Sequence, residues 1–147
     1  MKIEDLHRDV ITGFLKRHGV ADKTHIEQIT AGFDLGKPVY ERRIEDGDTL
    51  FQFMRNPDST TPHWQTGRWF CLRGAGMNAL GIFGGGSGRT LAEFTVNRPV
   101  WSLEGTAGPL ARDWGWAGGG TGGATQIFVP PDGLMALVGK GHHIGDQ

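Results

Sequence analysis

The stretch that decides the fold lies near the C-terminus and reads Ala117-Gly118-Gly119-Gly120-Thr121-Gly122-Gly123-Ala124-Thr125-Gln126-Ile127-Phe128-Val129-Pro130. Glycine has no Cβ atom, so the backbone of such a tract can come very close to a polar ligand. The residues from Gln126 to Val129 predict a short strand, which Pro130 ends. Gln126 is therefore expected at the start of a strand beside an amide-rich loop. There it is either a functional amide or an ordinary polar residue of a hairpin connection.

The length and composition of the chain indicate one folded domain. With 147 residues it is long enough to bury a core, and we expect a helical front over residues 1–35 and a β-rich core over 36–147. The net charge of −1 gives no general attraction to nucleic acid or to anionic membranes. No apolar run approaches the roughly 20 residues that span a bilayer. The single cysteine, Cys71, excludes an internal disulfide framework.

Glycine is unusually frequent and unevenly distributed. There are 25 glycines in the chain, which is about 17% against roughly 7% in an average protein. They cluster in 81–88 and 115–123. Because disordered chains are poor in aromatic residues, and this chain has five tryptophans and eight phenylalanines, the glycine clusters predict two specialised loops in a folded domain.

The beginning of the chain has the periodicity of helices. Apolar residues fall at helical spacing over residues 3–18, and His18-Gly19 is a suitable C-terminal stop. The sequence Thr24-His-Ile-Glu27 has the spacing of a capping box and predicts a second, short helix that ends before Gly32. We expect these two helices to pack against the sheet that follows.

The remainder of the chain alternates as strands do. The predicted strands are 39–44, 49–55, 67–72, 90–96, 100–103 and 127–129, with a turn at 45–48, one helical turn at 78–82 and a short element at 134–138. Helices first and strands afterwards predict the α+β class, with N-terminal helices followed by a split, mostly antiparallel β-sheet of six to eight strands.

Several familiar kinds of site are excluded by their spacing. The tract from Phe83 to Thr90 resembles a phosphate loop, but Phe83 replaces the first glycine, Arg89 replaces the lysine, and a strand follows instead of a helix. The six histidines are scattered without the spacing of a zinc helix, so no metal site is expected. No Gly-x-Ser-x-Gly occurs, which excludes a nucleophile elbow. Cys71 lies among apolar residues and is expected to be a core thiol.

What remains is an ordered series of residues that could hold a dinucleotide. It comprises Arg55 at the end of a strand, the segment Arg68-Trp69-Phe70, the loop with Ser87 and Arg89, and the pair Thr125-Gln126. An arginine can bind a diphosphate through two parallel hydrogen bonds, and aromatic rings can sandwich a flat heterocycle. An amide such as that of Gln126 can bind a ribose hydroxyl. The alternatives are a surface ion pair for Arg55 and core packing for Trp69 and Phe70.

This order resembles that of the NAD-consuming toxin domains related to ADP-ribosyltransferases, which include toxins of the tuberculosis necrotizing toxin type and NAD-degrading effectors that bacteria inject into rivals. The resemblance covers about residues 47–130. The matching parts are Leu50-Phe-Gln-Phe-Met-Arg55, Gly67-Arg68-Trp69-Phe70, Leu91-x-x-Phe94-x-Val96, Pro99-Val100, Gly105-Thr-Ala107, Trp114-Gly115, Gly118-Gly-Gly and Ala124-Thr125-Gln126. The last two parts together resemble a Gly-Gly-Gly-Thr-Gln sequence of the family, here interrupted by Thr121-Gly122-Gly123-Ala124.

The resemblance implies a split sheet that binds NAD+ as a substrate in its cleft and hydrolyses it to nicotinamide and ADP-ribose, with no cofactor. It implies catalytic roles for Gln126 and for Arg55, whose rival for the diphosphate is Arg68. Substrate contacts are expected from Arg68, Trp69, Phe70, Ser87, Arg89 and Thr125. The resemblance further implies a secreted effector that acts in the cytoplasm of a target cell, and a cognate immunity protein that covers the cleft near 81–89 and 115–126. The resemblance leaves the choice between NAD+ and NADP+ open, and no nucleic acid is expected as a partner.

Two other functions fit the same residues. A mono-ADP-ribosyltransferase would share the fold and bind the same NAD+, but such enzymes usually carry glutamate where this chain has Gln126. A non-catalytic β-rich binding module would use the glycine loops as mere connections and present Trp114 and Trp116 as a recognition patch.

Overall fold

A computed structural model of the chain describes residues 2–54, 68–72, 90–108 and 123–143. In chain order the elements are α1 (Ile3–Arg17), α2 (Lys23–Ala31), β1 (Tyr40–Ile44), β2 (Thr49–Met54) and β3 (Arg68–Cys71). They continue with β4 (Thr90–Val96), β5 (Val100–Thr106), β6 (Thr125–Val129), the single helical turn α3 (Pro131–Leu134) and β7 (Leu137–His143). The expected turn at 78–82 lies outside the described residues.

Helix α1 agrees closely with its sequence pattern. Its buried residues are His7, Ile11, Phe14 and Leu15, which repeat at three- and four-residue spacing and so lie on one face. Acidic residues stand in its first turn and basic residues in its last, where each favours the helix dipole. The helix ends at the expected place, since Gly19 has a φ of 88°, which the left-handed conformation after a helix requires.

Helix α2 begins two residues earlier than the capping-box pattern suggested. The N-cap is Asp22, whose side chain accepts a hydrogen bond from the backbone N–H of His25 at 3.0 Å. Thr24 lies within the first turn, so the expectation that it caps the helix is wrong. Asp22 stands in extended backbone three residues before His25, which is the geometry that a capping carboxylate needs.

The strands form one seven-stranded sheet in the order β1-β5-β6-β3-β2-β4-β7, and all pairs are antiparallel. This confirms the predicted α+β class. Two elements differ from expectation. Strand β5 continues to Thr106, and the short C-terminal element is a helical turn followed by β7, which pairs with β4 across an irregularity at Glu93/Phe94. The sequence of β7 contains two glycines and does not alternate, so its pairing with β4 was invisible to periodicity.

The sheet is divided in the middle. Strands β1, β5, β6 and β3 form one half, and β2, β4 and β7 form the other. Strands β2 and β4 are matched over six residue pairs, and β3 and β6 over four. The two halves meet between β2 and β3, where the described residues form the single pair Phe51↔Cys71. We call this junction the seam.

Both faces of the sheet are covered by apolar side chains. One cluster joins the two helices to the sheet through Ile11, Phe14, Leu15, Val20, Ile26, Ile29, Phe33, Val39, Leu103 and Phe128. The other lies on the opposite face and includes Leu50, Phe70, Phe94, Ile127 and Val129. Because each such side chain contributes about 1.5–3 kcal/mol on burial, both faces are strongly stabilised. No helix of the described residues is long and apolar enough to cross a membrane.

Candidate functional site

Strand β6, which follows the long glycine tract, lies in the interior of the sheet. Its second residue, Gln126, is paired with Gly105 of β5 on one side and with Cys71 of β3 on the other. The strand therefore begins at Thr125, and Gln126 stands near its start, as the sequence predicted. Because strands pair with β6 on both sides, the backbone position of Gln126 is fixed. Functional side chains need such a rigid support.

The side chain of Gln126 lies on the helical face of the sheet and is 6% exposed. Its Nε2 atom donates a hydrogen bond to the carbonyl oxygen of Gly32, the residue that ends α2. The same carbonyl accepts the backbone N–H of Gly108 at 3.0 Å. The Oε1 atom of Gln126 accepts no hydrogen bond from the residues that the structure describes. One end of the amide is thus anchored on Gly32, and the other end carries an oxygen that can accept hydrogen bonds.

The described residues on either side of the segment 109–122, which contains most of the glycine tract, are hydrogen-bonded to each other near Gln126 in the sequence. The N–H of Ala107 donates to the carbonyl of Ala124 at 2.8 Å, and the N–H of Gly123 donates back to Ala107 at 2.9 Å. Gly123 has a φ of 102°, which an ordinary side chain rarely adopts. These bonds place the base of the 109–122 segment two to three residues from Gln126.

Glycine at two further positions lets aromatic rings approach the backbone here. A Cβ atom on Gly32 would lie 2.6 Å from Cζ2 of Trp69, and one on Gly105 would lie 2.7 Å from Cδ1 of Phe33. Both distances are far shorter than a carbon–carbon contact allows. The ring of Trp69 packs edge-on to Phe33 and Phe128, with centroid distances of 5.0 and 5.1 Å. Trp69 thus lies on the same face of the sheet as Gln126 and packs against Gly32, whose carbonyl binds the Gln126 amide.

Trp69 and Phe70 point to opposite faces of the sheet. Phe70 is 2% exposed and meets Phe94 edge-on at 5.6 Å in the cluster on the far face. The expectation that the two rings sandwich one heterocycle is therefore wrong in its geometry, because neighbouring residues of a strand leave the backbone in opposite directions. Their individual contacts with a substrate stay a prediction, and only Trp69 lies on the same side as Gln126.

The other predicted site residues are distributed as follows. Thr125 is exposed, pairs with Thr106, and lies on the face opposite Gln126. Arg68 is the first residue of β3, and its backbone pairs with Val129 at the other end of β6. Arg55, Ser87 and Arg89, together with Trp114 and Trp116 of the alternative function, lie outside the described residues. The roles of all of them stay predictions.

Cys71 lies directly across from Gln126 in the strand register. Burial raises the pKa of its thiol to about 12. A thiol with such a pKa is protonated at neutral pH and is a poor nucleophile. This agrees with the expected core thiol.

Glu104 is a buried ionisable residue that the sequence did not single out. It is almost fully buried on β5, where the hydroxyl of Tyr40 and the guanidinium of Arg42 both donate to its carboxylate. Desolvation by burial raises its pKa above the ordinary value. It neighbours Ile127 of β6 but lies on the face opposite Gln126. The predicted strand ended at 103, so the alternation that places Glu104 inside the sheet was missed.

The fold has a close counterpart among solved structures. Tse6, solved in complex with Tsi6, matches with a TM-score of 0.69 and 21% sequence identity over 97% of this chain and 98% of that chain. Rhs1-CT, solved in complex with its cognate immunity protein RhsI1, matches over 74% of this chain and 79% of that one with 15% identity; its TM-score of 0.48 is too low to support an argument.

No protein-family model and no curated protein matches the sequence. At 21% identity the likeness to Tse6 bears on the fold alone. The N-terminal helices, the divided antiparallel sheet and the near-complete overlap with Tse6 confirm the fold that the resemblance implied.

Proposed function

We propose that the protein is an NAD+ glycohydrolase toxin that hydrolyses NAD+ to nicotinamide and ADP-ribose. The observation that carries this proposal is the amide of Gln126, which is anchored through Nε2 and keeps Oε1 as an acceptor beside the base of the glycine tract. The likeness in fold to Tse6 and the sequence resemblance to NAD-consuming toxins support it.

The chemistry suits a site built around an amide. The bond between C1′ of the ribose and the nicotinamide nitrogen is weak, because the pyridinium leaves as neutral nicotinamide. The transition state resembles an oxocarbenium ion, so the enzyme chiefly has to orient the ribose and stabilise positive charge. In the proposed role, Oε1 of Gln126 accepts a hydrogen bond from a ribose hydroxyl. Water then bonds to C1′ from the opposite face and releases one proton to solvent.

The nature of Gln126 favours water over a protein acceptor. A glutamine cannot ionise near neutral pH, so it can orient hydroxyls and water but cannot act as a full general base for an acceptor side chain. Anchoring of Nε2 on Gly32 also limits the directions in which the amide can turn. Hydrolysis is therefore preferred over ADP-ribosyl transfer in this proposal.

The diphosphate of NAD+ is assigned to an arginine. Arg55, which directly follows β2, is the first choice, and Arg68, at the start of β3, is the rival. A guanidinium can donate two parallel hydrogen bonds to a diphosphate, and such charge-assisted bonds are about twice as strong as neutral ones. The ring of Trp69, which lies on the same face of the sheet as Gln126, is the proposed contact for a flat ring of the dinucleotide.

A toxin of this kind needs a neutralising partner in the cell that makes it. Tse6 was solved as a complex with Tsi6, which supports a bound partner protein for this chain as well. We propose a cognate immunity protein that covers the cleft near 81–89 and 115–126, and secretion of the toxin into a target cell. Normal growth and normal NAD+ levels in bacteria that express the wild-type chain without a partner gene would contradict toxicity.

Release of nicotinamide from NAD+ by the purified protein tests the proposed reaction. Fluorescence of etheno-NAD+ follows the cleavage continuously, and chromatography identifies free ADP-ribose as the second product. Mass spectrometry of a lysate incubated with NAD+ would reveal acceptor adducts if the protein is instead a transferase. Absence of both nicotinamide release and adducts would favour a binding module.

A further inference from the structure

The seam between the two halves of the sheet is closed in an unusual way. Backbone pairing of β2 with β3 is limited, among the described residues, to Phe51 and Cys71. In contrast, β2 follows β4 without interruption from Thr49 to Met54. Next to this pair, a side chain connects the two strands: Nε2 of Gln52 donates a hydrogen bond to the backbone carbonyl of Trp69 at 3.0 Å.

The amide of Gln52 is buried and only half satisfied. The residue is 6% exposed, and its Oε1 atom is buried without a hydrogen-bond partner in the part of the chain that the structure describes. Buried polar groups are nearly always paired, because an unpaired one costs about as much as a lost hydrogen bond. The neighbour on the same face, Leu50, is apolar, as packing alone would favour at this position. We therefore infer that the hydrogen bond from Gln52 to Trp69 offsets the free-energy cost of burying this amide.

A chain of contacts connects Gln52 to the candidate site. Its amide holds the carbonyl of Trp69, and the ring of Trp69 lies against Gly32 so closely that a Cβ atom there would clash. The carbonyl of Gly32 in turn accepts the hydrogen bond from Gln126. The strand that carries Trp69 also carries Cys71, which pairs with Gln126 through the backbone. The side chain of Gln52 thus binds one edge of β3, and the backbone of Gln126 pairs with the other edge.

We propose that Gln52 is a positioning residue of the candidate site. Its side-chain amide latches β3 to β2 across the seam and so holds Trp69 and Gln126 in their working geometry. This proposal rests on the proposed NAD+ glycohydrolase function. Gln52 makes no contact with the substrate in this proposal. Activity depends on the hydrogen-bond donor of Gln52 and not on the volume of its side chain, which distinguishes this role from ordinary core packing.

Two substitutions separate the donor from the volume. Gln52→Met fills nearly the same space but can neither donate nor accept strongly. Gln52→Glu keeps the shape, and it can donate to the Trp69 carbonyl only while its carboxyl group is protonated. Burial favours the neutral form of a carboxyl group and raises its pKa, so protonation is expected within reach of a mildly acidic assay. The latch should therefore be restored by acid in Gln52→Glu and not in Gln52→Met.

The experiment measures kcat and KM for nicotinamide release between pH 5 and pH 9 for the wild type, Gln52→Glu and Gln52→Met. Gln28→Glu, on the exposed side of α2, is the matched control. We expect kcat of Gln52→Met to be lower than that of the wild type by about tenfold at every pH, with KM changed less. The ratio of Gln52→Glu to wild type should rise by about tenfold from pH 9 to pH 5. A wild-type kcat in Gln52→Met, or a ratio for Gln52→Glu that does not vary with pH, would overturn the proposal.

Hydrogen exchange separates this proposal from the proposed reaction, since it needs no substrate. In Gln52→Met the amides of 68–71 should exchange faster, while those of 90–96 should keep their protection, because β4 is paired on both sides. If the wild type releases no nicotinamide but this local change is seen, the reaction is wrong and the latch stands. Uniformly faster exchange, or no change at 68–71, would refute the latch.

Discussion

Removing the amide of Gln126 is the most direct perturbation of the site. In Gln126→Ala the hydrogen bond from Nε2 to the Gly32 carbonyl is lost, but that carbonyl keeps its bond from the N–H of Gly108 at 3.0 Å. No buried acceptor is therefore left without a partner, and the loss of free energy of unfolding should be that of one ordinary hydrogen bond, about 1 kcal/mol. For a chain of this size the melting temperature should fall by about 2–4 °C.

The effect on catalysis should be much larger than the effect on stability. Oε1 is proposed to bind a ribose hydroxyl most strongly in the transition state, and removing one such pre-positioned group typically lowers kcat by about 10²–10³. A hundredfold loss corresponds to about 2.7 kcal/mol of activation free energy. The KM for NAD+ should change little, because an interaction made mainly in the transition state contributes little to ground-state binding.

The assay is steady-state release of nicotinamide by purified Gln126→Ala, with Gln28→Ala on the exposed side of α2 as the matched control. Thermal unfolding of the same samples verifies that both variants are folded. Gln126→Glu is a more specific test of the amide. Its carboxylate cannot donate a hydrogen bond to Gly32, and glutamate is the residue that transferases usually carry at this position. It should keep part of the hydrolysis or shift it toward acceptor modification. A folded Gln126→Ala protein that consumes NAD+ at the wild-type rate would refute the assignment.

Three further predictions concern other parts of the molecule. Arg55→Ala should lower kcat/KM for NAD+ by ten- to a hundredfold, because about 1.5–3 kcal/mol of charge-assisted binding is lost. If Arg55→Ala is fully active and Arg68→Ala is inactive, Arg68 is the arginine that binds the diphosphate. The raised pKa of Glu104 means that the folded state holds the carboxyl proton more tightly than the unfolded state. The free energy of unfolding of the wild type, relative to that of Glu104→Gln, should therefore fall as pH rises from 4.5 through the folded pKa. Denaturant unfolding over that pH range measures the difference, and a rise with pH would contradict the assignment of the raised pKa to burial. Asp22→Ala should cost about 1 kcal/mol of stability and Thr24→Ala clearly less, because Asp22 is the cap of α2; equal losses in thermal unfolding would contradict that cap.

Much of the secondary structure could be predicted from local patterns. Helix α1 and strand β4 were expected almost at their observed bounds, since one has a clear helical period and the other a compact apolar run between turn signals. The turn near Gly47 was also correct, and its φ of 94° is one that glycine adopts readily. Strand β7 was largely missed, because its two glycines hide the alternation of apolar and polar residues that marks a strand.

The candidate site was only partly visible in the sequence. The position of Gln126 beside a glycine tract at the start of a strand was predicted, and the structure places it there. The direction of its side chain was not, because its partner Gly32 is 94 residues away in the chain. The order of the residues in the chain also did not show that Trp69 and Phe70 pack into different apolar clusters, on opposite faces of the sheet.

By itself, the sequence determined the class of the fold, the placement of the helices before the strands, and the glycine tract that leads into β6. These depend on properties of neighbouring residues: period, turn chemistry and freedom of the backbone. Only the tertiary structure decided the order of the strands, the seam at β2 and β3, and the joining of Gln52, Trp69, Gly32 and Gln126 into one set of contacts. Such contacts depend on which strands become neighbours, and long-range packing of the whole sheet sets that choice, which no local pattern contains.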